Sequence, residues 1–241
     1  MAQLPYNWSV LTRYELYSMF YSLNSEIVGK ELSPNQIQKR INKHIKTQLP
    51  IKIRKCIHPP TTKGYVFMGG VYYSLLDKAG KTAIEVNFNY NPSDSKLRLT
   101  MHRFKRMAVR FADVVMHEII HMRQFRARNF KNIPGYQSTA ELAKERKEQE
   151  YYGDRDEMGA HSFNIACELI GRFGYDPHTI GQYLDSNESK RHKTSGWCYY
   201  LKTFNWNHEH QIIRRMKNLI MRNLENAYYG KPFKTTNHLT Y

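Results

Sequence analysis

Residues 103–128 contain no glycine or proline. Within them Phe104, Met107/Ala108, Phe111, Val114/Val115, Glu118/Ile119 and Met122 recur on a helical period. Such a stretch folds as one long helix whose stripe has to be buried, so the core must form against it. Inside the stripe stands His117-Glu118-Ile119-Ile120-His121. At about 100° per residue, His117 and His121 lie about 40° apart and project from one face, a turn apart. Two imidazoles in that relation suit two ligands of a tetrahedral Zn2+, each at about 2.0–2.1 Å. Glu118, about 60° from His121, stands beside such a metal rather than on it. There it can take a proton from a water held at the metal and pass it to a leaving amine. In a chain of this composition the H-E-x-x-H pattern arises by chance on the order of 0.03 times. Ala112, Val114, Val115 and Ile119 wall the motif with apolar side chains, and a dry wall strengthens the electrostatics of a metal.

A catalytic zinc site takes a third protein ligand and keeps its fourth position open. The continuation H-E-x-x-H-x-x-G-x-x-H fails here, because Gln124 and Ala127 replace the glycine and the last histidine. A second source lies downstream, in the segment 151–161 (YYGDRDEMGAH), where Glu157 and His161 share one helical face. Gly159 and Ala160 between them allow close approach to the metal helix, and Met158, Ile165 and Leu169 form an adjoining apolar stripe. Asp154-x-x-Glu157 is equally a capping box, in which Glu157 reaches back to the Asp154 amide. Three readings therefore stand: Glu157 as third ligand, Glu157 as a cap alone, or His161 as third ligand. Asp154 and Asp156 are accounted for as a cap and a first-turn acid.

The rest of the chain reads as an α+β protein of one domain. Its 241 residues can bury a core without disulfide staples. Aromatics at 13% exclude a disordered polycation. A helix is expected near 10–24, and a second from Ser33 and Pro34 through Ile37, Ile41 and Ile45. The basic segment 43–63, with Pro59-Pro60, reads as strand and loop, and three strand-like stretches follow at 64–76, 82–90 and 97–101. Helices are expected again near 139–150, from 154 to 170, stopping before Gly171 and Gly174, and over 207–228. The organisation is thus N-terminal helices and a basic segment (1–60), a sheet (61–102), metal-site helices (103–170) and a helical C-terminal part (171–241). Cys56, Cys167 and Cys198 are odd in number and far apart, so free thiols in a reducing compartment are expected. Neither a secretory signal nor a membrane span is expected, which points to a cytoplasmic protein without a membrane partner.

The motifs quoted above resemble the gluzincin branch of zinc metallopeptidases, in which H-E-x-x-H is followed by a separate helix bearing E-x-x-A-[D/H]. The finer pattern runs from the histidine motif to Gln124, then through a tyrosine-rich lead into Asp156-Glu157-x-x-Ala160-His161. It is similar to small zincin-like proteins of tailed bacteriophages, which implies host cytoplasm or virion. The resemblance covers roughly 83–170. It implies a zincin-like fold, a Zn2+ cofactor held by His117, His121 and Glu157, Glu118 as the catalytic base, and a peptide or protein substrate. His161 stands where gluzincins often carry an Asp that orients a ligand histidine. The resemblance also implies that a strand before the metal helix, 82–90 or 97–101, holds an extended substrate by edge pairing. Six residues are candidates to stabilise the oxyanion: Tyr151, Tyr152, Tyr199, Tyr200, His208 and His210. His208 and His210 also read as a polar helix start.

The net charge of +16 adds a separate expectation. Basic clusters at 39–55, 103–110, 123–131 and 214–217 flank the metal helix and favour polyanions, including non-specific contact with nucleic acid. No helix-turn-helix, zinc-finger or RNA-binding aromatic signature accompanies them. The reading is a zinc-dependent peptidase acting on acidic substrates. The alternative is a non-catalytic structural or DNA-associated phage protein that keeps the fold and the metal.

Overall fold

The computed structural model describes residues 12–57 and 62–229, with side chains as far as residue 224. Val10, Leu11 and the Pro59-Pro60 pair lie outside these residues. The chain is mixed α and β, with small sheets among helices. It divides into two compact units, Met1–Phe130 and Lys131–Tyr241. That division falls inside the segment 103–170.

The first unit opens with α1 (Arg13–Tyr21), the single turn α2 (Asn24–Ile27), the two-residue strand β1 (Glu31–Leu32) and α3 (Pro34–Lys46). Thr12 and Ser33 start α1 and α3 with complete capping boxes closed by Glu15 and Gln36. Ile37, Ile41 and Ile45 are buried, as their spacing requires. There follow β2 (Lys52–Ile57), β3 (Phe67–Tyr72), the short helix α4 (Ser74–Lys78), β4 (Ile84–Tyr90), the two-residue β5 (Leu97–Arg98) and the long helix α5 (Met101–Ala127). β4 is the centre of a mixed sheet ordered β2-β4-β3, parallel to β2 and antiparallel to β3. β1 and β5 pair with each other in a second, antiparallel sheet.

Two strand expectations are corrected here. The stretch 64–76 yields only Phe67–Tyr72, because Ser74–Lys78 turns into helix. Residues 97–101 give a two-residue strand, because Thr100 leaves it to cap α5: its hydroxyl accepts the Arg103 N–H at 3.3 Å. A third correction concerns the substrate strand. β4 is paired on both sides, so it offers no row of open backbone groups for edge pairing, and β5, paired on one side with β1, is only two residues long. The edge strand beside α5 is β3.

The stripe of α5 is buried throughout, from Phe104 to Met122. Phe20 of α1 sits among Phe88, Phe104 and Phe111, with ring centroids 6.1, 5.6 and 4.7 Å away. At the far end of α5, Arg126 donates two hydrogen bonds to Asp77 of α4, and Tyr72 of β3 donates to the same carboxylate at 2.8 Å. That fork ties strand, short helix and long helix into one piece.

The second unit contains α6 (Ala143–Gly153), α7 (Arg155–Phe173), α8 (Pro177–Asp185), α9 (Gly196–Thr203) and α10 (Gln211–Tyr229). α7 passes through Gly171 and ends at Gly174, whose φ of 68° is the left-handed conformation that a glycine adopts without strain. Met158, Ile165 and Leu169 of α7 pack with Trp197, Leu201, Met216 and Ile220 in the core of this unit. Among the described residues, no helix is long and apolar enough to cross a membrane. Among the described residues Cys56, Cys167 and Cys198 form no disulfide.

β3 meets α5 without a side chain at Gly70. A Cβ there would stand 2.5 Å from Glu118 Oε1 and 2.8 Å from Val114 Cγ1, whereas one at Gly69 would meet nothing within 4 Å. Gly70→Ala is therefore expected to destabilise the first unit by about 1–3 kcal/mol through overpacking. Gly69→Ala should change stability by less than about 1 kcal/mol. Denaturant melts of the two variants check the contrast.

Candidate metal centre

The site begins with the helical period of α5. It places His117 and His121 one turn apart, with the ring centroids 4.6 Å apart and the planes at 78°. The two Nε2 atoms face each other at 3.0 Å. Ligand atoms of a tetrahedral zinc ion, at bond lengths of about 2.0–2.1 Å, stand about 3.3 Å from one another. Gln124, three residues on, has its Oε1 3.1 Å from His121 Nδ1. In that contact Nδ1–H donates to the amide oxygen, which leaves the Nε2 lone pair directed at His117. That lone pair can accept the His117 Nε2–H or share a cation with His117.

Glu118 packs on the side of α5 that faces Gly70 of β3. Its residue is 6% exposed, and the Gly70 geometry shows its carboxylate lying close over β3. Val114, Val115 and Ile119 are buried around it, as the sequence pattern implies. An acid this dry costs several kcal/mol unless charge or hydrogen bonds compensate it.

Glu157 sits in the first turn of α7. Asp154 caps that helix, accepting the N–H groups of Asp156 at 2.8 Å and Glu157 at 3.4 Å. The Asp154 N–H donates to the Tyr151 carbonyl at 3.1 Å. The Glu157 side chain lies 3.6 Å from His161 Nε2, one turn along the same helix. His117, His121 and Glu157 together form a group whose ligand atoms all lie within 4.8 Å of one another, and this group can hold a metal ion. His161 is outside that group, and its ring is caged by Tyr151, Tyr152 and Tyr200 at centroid distances of 6.0, 5.6 and 5.8 Å.

The six candidate oxyanion donors separate by position, with His208 half-buried in the turn before α10. Tyr199 faces solvent. His210 accepts the Ile212 N–H at 3.2 Å at the start of α10 and stacks on Phe204, with its pKa lowered by burial. Tyr151 and Tyr152 line the His161 cage. Tyr200 is buried, and both desolvation and the nearby Glu157 carboxylate push its pKa well above the ordinary tyrosine value, so it stays a protonated donor. Gln124 is the residue that motif reading passed over as a failed glycine. Its spacing of three from His121 is the signal that marks it as a hydrogen-bond partner. No family model, curated protein or solved structure matches the chain.

Gln124→Ala should weaken zinc affinity by about 10–100-fold. Glu157→Ala should weaken it further still. Asp154→Ala should cost about 1 kcal/mol of helix stability and leave zinc affinity within twofold. Competition titrations against a chromophoric chelator, paired with thermal melts, separate these effects. Equal losses in the Glu157 and Asp154 variants would return Glu157 to a capping role.

Proposed function

We propose that this chain is a zinc-dependent hydrolase that cleaves peptide bonds, with His117, His121 and Glu157 as the metal ligands and Glu118 as the catalytic base. The observation that carries the reading is the pair of Nε2 atoms at 3.0 Å, one residue away from a buried carboxylate that is not part of the ligand group. A donor set of two imidazoles and one carboxylate suits zinc, and catalytic rather than structural zinc. A structural site has no use for the Glu118 carboxylate. That favours turnover over a non-catalytic protein which merely keeps the fold.

Zinc, when bound there, supplies a Lewis acid to the scissile carbonyl. Glu118 takes the proton of the attacking water on its carboxylate and delivers it to the leaving nitrogen. The apolar wall of Val114, Val115 and Ile119 excludes bulk water, so the charge on Glu118 acts in a medium of low dielectric. Gln124 fixes the tautomer of His121. Tyr200, protonated and enclosed near Glu157, is the donor assigned to the developing oxyanion.

Protein purified without chelator should carry about one zinc per chain. Glu118→Gln should retain it while hydrolysis of a casein or peptide-library substrate falls by about 10²–10⁴-fold. Tyr200→Phe should lower kcat by about 10²–10³-fold with KM nearly unchanged. Absence of stoichiometric metal from the wild-type protein would overturn the proposal.

A further inference from the structure

The seam between β3 and α5 continues away from Glu118 into a cavity of about 670 Å³. Its size is that of a site for a drug-sized group or a large side chain. Tyr65, Phe67, Met68 and Met107 form apolar walls, and among the described residues no Asp or Glu lines it. Tyr65 and Phe67 are large apolar residues left 46% and 60% exposed. Along one edge runs a row of three arginines from a single face of α5: Arg103, Arg106 and Arg110. Arg103 lies 4.6 Å over the Tyr65 ring and donates to the Gly64 carbonyl at 3.2 Å, while Arg110 lies 5.9 Å from the Phe67 ring. An apolar hollow with arginines along one edge and no acid among its lining residues complements a group that is apolar at its body and anionic beside it.

The same contacts give the direction of the seam. Phe67 is level with Arg110, and three residues later Gly70 is level with Val114 and Glu118. Strand and helix therefore ascend together, and the step from Phe67 to Gly70 is about 10 Å of extended chain. Among the described residues β3 pairs only with β4, so its outer edge presents backbone groups to an incoming strand. A peptide can use that edge, the hollow and the arginines together. A nucleic acid strand has no backbone N–H and C=O ladder to offer β3, and the walls form a pocket rather than an open stacking platform.

We propose that this cavity is a specificity subsite for an extended acidic peptide, taking a large apolar side chain three to five residues from the scissile bond while Arg106 and Arg110 pair with neighbouring carboxylates. The proposal deepens the peptidase reading and rests on it.

Zinc-loaded Glu118→Gln protein allows binding to be read without turnover. Fluorescence anisotropy would compare three labelled peptides of equal length: one with Phe set among Glu residues, one with that Phe replaced by Ala, and one with the Glu residues replaced by Lys. A labelled oligothymidylate serves as the fourth probe. The Phe/Glu peptide is expected to bind at least tenfold more tightly than the other two peptides. Adding Arg106→Glu and Arg110→Glu should remove that preference with zinc content and melting temperature unchanged. Equal affinities for the three peptides, or preferential oligothymidylate binding lost in the same variant, would overturn the subsite. Cleavage by the wild-type protein is followed in parallel. Selective binding without any cleavage counts against the peptidase reading alone, whereas cleavage without preference counts against the subsite alone.

Discussion

A carboxylate buried against a strand backbone, one residue from two imidazole nitrogens 3.0 Å apart, is the constraint around which the first unit is built. The acid has given up most of its water to lie there. The facing nitrogens stand at hydrogen-bond distance, where one ring donates to the other or the two share a cation. The surroundings hold this arrangement in place. Phe20, Phe88, Phe104 and Phe111 fix α5 on the core, and the Asp77 fork with Tyr72 and Arg126 fixes the end of β3 against its C-terminal turns. Gly70 gives Glu118 the space it occupies.

Much of this was legible before any coordinates, for a physical reason. Helical period is a local property, so the buried stripe of α5 and the shared face of His117 and His121 follow from spacing alone. Capping is local too, which is why Ser33 and Pro34 mark the start of α3. Sheet position is not local. The alternation in 84–90 marks a strand with Val86, Phe88 and Tyr90 buried, but its place at the centre is set by pairing with β2 and β3. Glu85, on the supposedly open face, is only 3% exposed because Lys52 and Arg54 of β2 pair with it. The identity of the edge strand was lost for the same reason. Gly69 and Gly70 look like poor strand residues in sequence, and the cause of the second is a side chain far along the chain.

The third ligand shows where local rules tie. Asp154-x-x-Glu157 satisfies a capping box and a ligand position equally well in sequence, because both depend on the same first turn of α7, where Asp154 accepts the Asp156 and Glu157 N–H groups. Tyr200 is one of six equal candidates in sequence, because its burial and its neighbour Glu157 are not properties of spacing. The large positive charge changes meaning as well. Its part on α5 is not a diffuse coat: three arginines line one cavity on the seam that leads to Glu118.

The central claim is that the two facing imidazoles and Glu157 hold one zinc ion through nitrogen and oxygen alone. Zinc K-edge X-ray absorption of the full chain loaded with one equivalent tests it directly. The account predicts a first shell of two imidazole nitrogens and light oxygen scatterers at about 2.0–2.1 Å, with multiple scattering from two histidine rings. A sulfur shell near about 2.3 Å, or a shell without histidine scattering, would contradict it.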